Sequence, residues 1–164
     1  MKTVICVDME GRPHEVSAND LRWRPSVYAI VIRDDELLLA KEEGKYTLPG
    51  GAINLGELPD EAVVREAKEE TGVRVANPRP VSFASNFFKL TASSKGAHIQ
   101  SLLLYYQCDL VGGELALDHL PEEDRPFHAM PEWVPIDDLP TIRLASSYDW
   151  RPLVERLARA DYRH

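Results

Sequence analysis

Residues 50–73 read GGAINLGELPDEAVVREAKEETGV. From Pro59 to about Thr71 the pattern is helical. Pro59 suits a first turn, where a missing N–H costs little, and Gly72 suits the position just past a helix end. At about 100° per residue, Glu66, Glu69 and Glu70 fall on one arc of roughly 100°. Ala62 lies on the same arc one turn earlier and leaves space above the carboxylates. Val63, Val64 and Ala67 form the neighbouring arc and face the core, so the acidic stripe borders the core. Glu61, Arg65 and Glu69 stand at i, i+4 spacing, which allows an ion-pair ladder. Glu66 and Glu70 share that spacing with like charge, at a cost of roughly a few tenths of a kcal/mol. Lys68 points the other way and cannot relieve it. Mg²⁺ or Mn²⁺ could, because hard cations take oxygen ligands and Mg²⁺ uses few carboxylates together with water and substrate phosphate. A solvated helix face is the alternative reading of the same residues.

The wider chain narrows the choice. Its 164 residues make one domain over 1–164, long enough to bury a core without staples. A composition of 44% hydrophobic and 28% charged residues is that of a globular protein. The formal net charge of −8 argues against a broad basic surface for duplex nucleic acid. It leaves room for a small anionic substrate, since a bound cation reverses the local field. Cys6 and Cys108 are not in a CxxC pair and read as buried free thiols in a reducing compartment, with one long-range disulfide as the alternative. The apolar run in MKTVICVD is too short for a signal peptide, and no stretch approaches a membrane span. The expectation is a soluble, cytoplasmic protein with no membrane partner.

Along the chain, TVICVD and PHEV flank a turn and predict an N-terminal hairpin over about residues 1–17. SVYAIVIR is rich in β-branched residues and reads as a central strand. A turn at Asp34 and Asp35 leads into ELLLA, and YTLPGG ends a short strand in a proline–glycine loop. PVSFASNFFKL and HIQSLLLYYQCDL are two long strand-like runs around the polar hairpin tip TASSKGA. Residues 118–131, DHLPEEDRPFHAMP, carry three prolines and five formal charges, and read as an exposed loop or lid. EWVPI is a short strand. A last helix begins near Ser146 or Ser147, either one an N-cap, with Trp150, Leu153, Val154, Leu157 and Ala158 on one amphipathic face. Strands interrupted by one helix and closed by another imply a mixed sheet flanked by helices.

Spacing decides how the acidic helix is read. Gly51 is followed after five residues by Glu57, and seven more lead to Arg65 and Glu66; Ala67, Glu69, Glu70, Gly72 and Val73 complete the series. This resembles the signature of the Nudix hydrolase family, G-x5-E-x7-R-E-U-x-E-E-x-G-U with U aliphatic, over residues 51–73 and without a gap. Seven positions are fixed to one residue type, so at about 7% usage each a chance match is far rarer than one in a million. Weaker resemblance extends to RPSVYAIVI, LLLAKE, YTLPGG and EWVPIDDLP.

The resemblance implies an α/β fold, an α/β/α sandwich with a mixed β-sheet, a catalytic loop–helix–loop and a C-terminal amphipathic helix. It implies hydrolysis of the pyrophosphate in a nucleoside diphosphate linked to another group, with Mg²⁺ or Mn²⁺ as cofactor and a small nucleotide as partner. Glu66, Glu69 and Glu70 become metal-binding carboxylates, with Glu57 near the metal and the Gly50 carbonyl as a further ligand. Arg65 would orient the glutamates. The general base is either a box glutamate or an acidic residue of an outside loop, for which Glu122, Glu123 and Asp124 are candidates against plain loop solvation. Arg24 precedes a strand where relatives often place a phosphate-contacting arginine, against a simple surface charge. Phe87, Phe88 and Tyr28 could stack on a base or line a pocket, with core packing as the alternative; Trp133 and Trp150 pack. Many relatives are homodimers, a state the sequence leaves open. Neither a P-loop nor a G-x-S-x-G elbow is present.

The box gives the reaction and not the leaving group. The proline often found past the box in ADP-ribose hydrolases is missing, as is the tyrosine of diadenosine-polyphosphate hydrolases. The longer motif of NADH-cleaving members and the second motif of coenzyme A hydrolases are not found. Elimination points to a nucleoside triphosphate pyrophosphohydrolase, with a nucleoside diphosphate sugar hydrolase as the alternative enzyme. A nucleotide-binding sensor without turnover is the alternative of another class, and the intact box argues against it.

Overall fold

The computed structural model of the chain describes residues 2–8, 10–90, 96–146 and 148–161. Most of the expected hairpin tip at 91–97, and the candidate N-cap Ser147, lie outside the described residues. Strands β1 (Thr3–Val7) and β2 (Pro13–Ser17) pair antiparallel, with Thr3 opposite Ser17. They are followed by β3 (Arg22–Ile30), β4 (Ile32–Arg33), β5 (Glu36–Glu42), β6 (Lys45–Thr47) and β7 (Gly50–Ala52). Helix α1 (Pro59–Thr71) leads to the long strands β8 (Arg74–Lys89) and β9 (His98–Gly112), then β10 (His128–Pro135) and helix α2 (Arg151–Asp161).

Two sheets result. The larger runs β2-β1-β8-β9-β3-β7, and its β1–β8 and β3–β9 pairs are parallel while the others are antiparallel. The smaller runs β10-β5-β4, with β6 added to β5. Mixed pairing with helices on both sides is the expected architecture, and strand alternation shows how it is built. Val27, Ala29 and Val31 point to one side and pack with Leu38 against Ala62, Val63 and Ala67 of α1. Ile30, Leu37, Leu39, Leu103 and Tyr105 point to the other side and pack with Trp150, Leu153 and Val154 at α2. A third, smaller cluster of Val4, Cys6 and Val16 lies under the N-terminal hairpin. Both cysteines are buried free thiols. Among the described residues, no helix is long and apolar enough to cross a membrane.

Helix α1 has the expected bounds. The Glu61 carboxylate accepts the Leu58 N–H at 3.0 Å, closing the first turn, and Gly72 ends the helix at φ 75° with its N–H on the Lys68 carbonyl. That left-handed cap is where glycine is needed. Ala62 differs from expectation: it is wholly buried among core side chains instead of opening space above the carboxylates.

Three other expectations change. The lid at 118–131 is shorter, because His128–Pro135 forms β10 against β5. Its pairing shifts register between Ala129 and Glu132, so Pro131, which has no N–H to donate, falls at the irregularity. Strand β8 starts well before Pro80, with Pro78 and Pro80 at its own register shifts and Asn77 at φ 49°. Helix α2 starts at Arg151, later than a serine N-cap would place it. The Ser146 hydroxyl accepts the Tyr148 N–H instead, and the Trp150 carbonyl accepts the first helical N–H groups, from Leu153 and Val154.

Candidate functional site

The box folds around one guanidinium. Arg65 donates to Glu57 through Nε at 2.7 Å and Nη2 at 2.9 Å, a two-pronged carboxylate grip. Its Nη1 reaches Glu66 at 2.8 Å and Glu69 at 3.1 Å, while Nη2 also donates to the Ala52 carbonyl at 3.2 Å. Three acids from the loop and the helix are therefore tied to β7 by one side chain. The Asn54 N–H adds a 3.0 Å bond to Glu57. The sequence-level ladder is realised only in its second half, since Glu61 caps the helix and Arg65 turns to Glu57.

Glycines admit the glutamates. A Cβ on Gly51 would stand 2.7 Å from Glu66 Oε1, and one on Gly50 would collide with the Val27 carbonyl and the Tyr28 ring. The Gly50 N–H donates to Glu70 Oε2 at 3.0 Å, so the edge strand supplies a backbone donor to the deepest carboxylate. Burial pushes Glu70 well above the usual carboxylate range; the Gly50 N–H opposes this, and the charges of Glu66, Glu42 and Glu69 add to it. Burial also raises Glu66, whose side chain is 12% exposed, against the pull of Arg65. Glu57 goes the other way, lowered chiefly by its hydrogen bonds from Arg65.

The other predicted residues divide. Tyr28 lies opposite Gly50, with its ring stacked on Tyr105 at 5.7 Å. Burial raises its hydroxyl, and the charges of Arg24, Glu70, Glu42 and Glu66 all reach it. Arg24 lies four residues before Tyr28 on β3, with Nη1 on the Ser26 hydroxyl at 3.2 Å, and its charge favours the Glu66 carboxylate. Phe87 is not brought to the site; it packs against the Val4, Cys6 and Val16 cluster. Glu122, Glu123 and Asp124 are exposed in a turn closed by Arg125 on the Leu120 and Asp118 carbonyls. Among the described residues, no hydrogen bond or ion pair joins them to the box.

Glu42 was not singled out in the sequence. It ends β5 opposite His128 of β10, on the side of the strand that carries Leu38 toward α1. Its charge bears on both Glu70 and Tyr28. The turn at Glu43 and Gly44, both with positive φ, was the one local cue to its register.

The donor set is all oxygen, suited to a hard cation. Two of its carboxylates are desolvated, and a cation would offset that cost. Among the described residues no three His, Cys, Asp or Glu side chains are gathered closely enough to hold a metal as they stand, because Glu57, Glu66 and Glu69 are turned to Arg65.

Comparison with known proteins agrees with this geometry. The family model for the NUDIX domain matches residues 22–154. The NAD-capped RNA hydrolase NudC of Pseudomonas aeruginosa is 33% identical over 125 residues, covering 74% of this chain and 39% of that protein. NudC of Escherichia coli O1:K1 is 30% identical over 144 residues, covering 84% of this chain and 50% of that protein. The chain thus spans half or less of the length of these curated relatives. Among solved structures, a NUDIX hydrolase from Nitrosomonas europaea superposes with a TM-score of 0.63 at 20% identity, covering 85% of this chain and 90% of that one. A mutator MutT protein from Bacillus halodurans gives 0.62 at 24% identity, covering 80% of each; both show the fold. With the family model matched over residues 22–154 and three of the four box glutamates gathered about one arginine, the chain belongs to the NUDIX family.

Proposed function

We propose that this chain hydrolyses the pyrophosphate linkage of a nucleoside diphosphate joined to another moiety, using Mg²⁺ or Mn²⁺. Family membership and relatives named as hydrolases support an enzyme acting on phosphoric anhydrides. The observation that carries the reading is the pair of half-buried carboxylates Glu66 and Glu70, both raised by desolvation, beside a glycine edge strand that leaves no room for a Cβ at Gly51. Glu66, Glu69 and Glu70 would hold the cation, with Glu57 and the Gly50 carbonyl close by. Bound there, the cation neutralises the polyanionic substrate and lowers the pKa of bound water. The chain's own part is positioning. Arg65 fixes Glu57 and releases or holds Glu66 and Glu69, Arg24 meets phosphate oxygens, and a box carboxylate accepts the water proton.

Two substrate readings have support. Elimination of downstream motifs favours a nucleoside triphosphate. The 30–33% identity to proteins named NAD-capped RNA hydrolases favours a dinucleotide pyrophosphate, although the longer motif of NADH-cleaving members is not found in this sequence. Incubation with Mg²⁺ and a panel of nucleoside triphosphates, dinucleotides and nucleoside diphosphate sugars distinguishes them by product. Pyrophosphate plus monophosphate marks the first reading, and two nucleoside monophosphates mark the second. A sugar phosphate with a nucleoside monophosphate would move the assignment to sugar nucleotides. Binding without turnover across the panel would make the domain a sensor and overturn the proposal.

A further inference from the structure

Behind the glycine edge strand stands a column of three tyrosines. Tyr28 of β3 is the register partner of both Gly50 on β7 and Tyr105 on β9. Its ring stacks on Tyr105 with centroids 5.7 Å apart and planes at 28°, and Tyr105 meets Tyr148 at 5.6 Å and 32°. Both separations are those of aromatic rings in favourable contact. Tyr105 is almost wholly buried in the cluster under α2. Tyr148 is half-buried, two residues before the Trp150 carbonyl that starts α2.

The outer end of this column bears on the site. A Cβ on Gly50 would stand 2.7 Å from Tyr28 Cδ1, so the ring fills the space on the side of Gly50 where a side chain would be. The same Gly50 turns its N–H to Glu70 at 3.0 Å. A flat, stiff ring backed by two more rings leaves the Gly50 peptide little freedom to retreat from Glu70. An aliphatic side chain would fill the volume without offering that plane.

We propose that Tyr28, Tyr105 and Tyr148 form a positioning column that holds the Gly50 peptide against the Glu70 carboxylate, so that packing of the segment leading into α2 sets the geometry of the acidic site. Tyr148 is the informative position, because it touches the column at the end remote from the glutamates. The column needs rings and not hydroxyls, which separates it from a proton-transfer role for Tyr28.

Amide hydrogen exchange read by NMR tests this without substrate or metal. Tyr148→Leu is expected to speed exchange of the Gly50 amide about tenfold, while amides at the centre of β9, such as Leu104, change by less than about threefold. Tyr148→Phe should restore wild-type exchange at Gly50. Tyr28→Leu and Tyr28→Phe should repeat the contrast at the near end. Equal acceleration at Gly50 and Leu104 would mean ordinary core packing and would overturn the column, as would unchanged Gly50 exchange in Tyr148→Leu. Where turnover is measurable, Tyr148→Leu should lower kcat about five- to twentyfold with KM within twofold. Because the exchange readout needs no reaction, failure of the hydrolase reading and failure of the column are distinguishable.

Discussion

Arg65 and the two glycines decide what the acidic residues can do. The guanidinium satisfies Glu57, Glu66 and Glu69 together, while Glu70 is left to a single backbone N–H. Glu70 is therefore the carboxylate with the most to gain from a cation. Its folded pKa is raised above the ordinary 4.5. A raised acid contributes stability below its unfolded value and loses it as pH climbs through the folded value. The metal-free melting temperature should accordingly fall as pH rises above the ordinary carboxylate value of 4.5, and Glu70→Gln should flatten that slope. Thermal melts with and without Mg²⁺ check this, and the variant should also lose the stabilisation Mg²⁺ gives the wild type. Gly51 is tested by steric logic. Gly51→Ala places a methyl 2.7 Å from Glu66 Oε1, close enough to push that carboxylate aside, and kcat/KM should drop by at least about tenfold, equivalent to roughly 1.4 kcal/mol, with a near-normal melt.

At the level of elements, the part written in one continuous stretch was legible and the part written across strands was not. Helix α1, its caps and its acidic arc follow from 3.6-residue periodicity and spacing within 51–73. Glu42 reaches the site only through the β5–β6 turn and its pairing with β10; the turn is a local cue, but no local pattern states the pairing. The same pairing recruits His128–Pro131 out of the expected lid, and packing against the N-terminal hairpin removes Phe87 from the pocket. The β5–β10 joint is held on its other side by Glu132, which accepts from Lys41 Nζ and from the Tyr46 hydroxyl, both at 2.7 Å. Those bonds, Lys41 first, lower the Glu132 pKa below 4.5. A lowered acid contributes stability above its unfolded value and loses it as pH falls through the folded one. Glu132→Gln should thus destabilise at neutral pH by about 1 kcal/mol or less, given its partial exposure. The difference in melting temperature from wild type should shrink as pH falls below about 4.5. A difference that held constant into acid would assign the effect to packing.

For the whole molecule, both sheets and helix α1 converge on one edge, while α2 packs on the other side. Strand β7 brings Gly50 and Gly51, α1 brings three glutamates, β3 brings Arg24 and Tyr28, and β5 brings Glu42. The sandwich was legible because alternation and the box both demanded it. The substrate was not, because the groups that distinguish one diphosphate from another come from segments far apart in sequence. The central claim is that the half-buried glutamates of α1 serve Mg²⁺-dependent cleavage of a pyrophosphate. It is tested most directly by Mg²⁺-dependent turnover of the purified chain beside Glu69→Gln and Glu70→Gln, each shown to be folded by its melt. Turnover that needs the metal and falls by about a hundredfold or more in both variants is the result expected. Near-normal turnover in both variants, or equal turnover with the metal chelated, would contradict it.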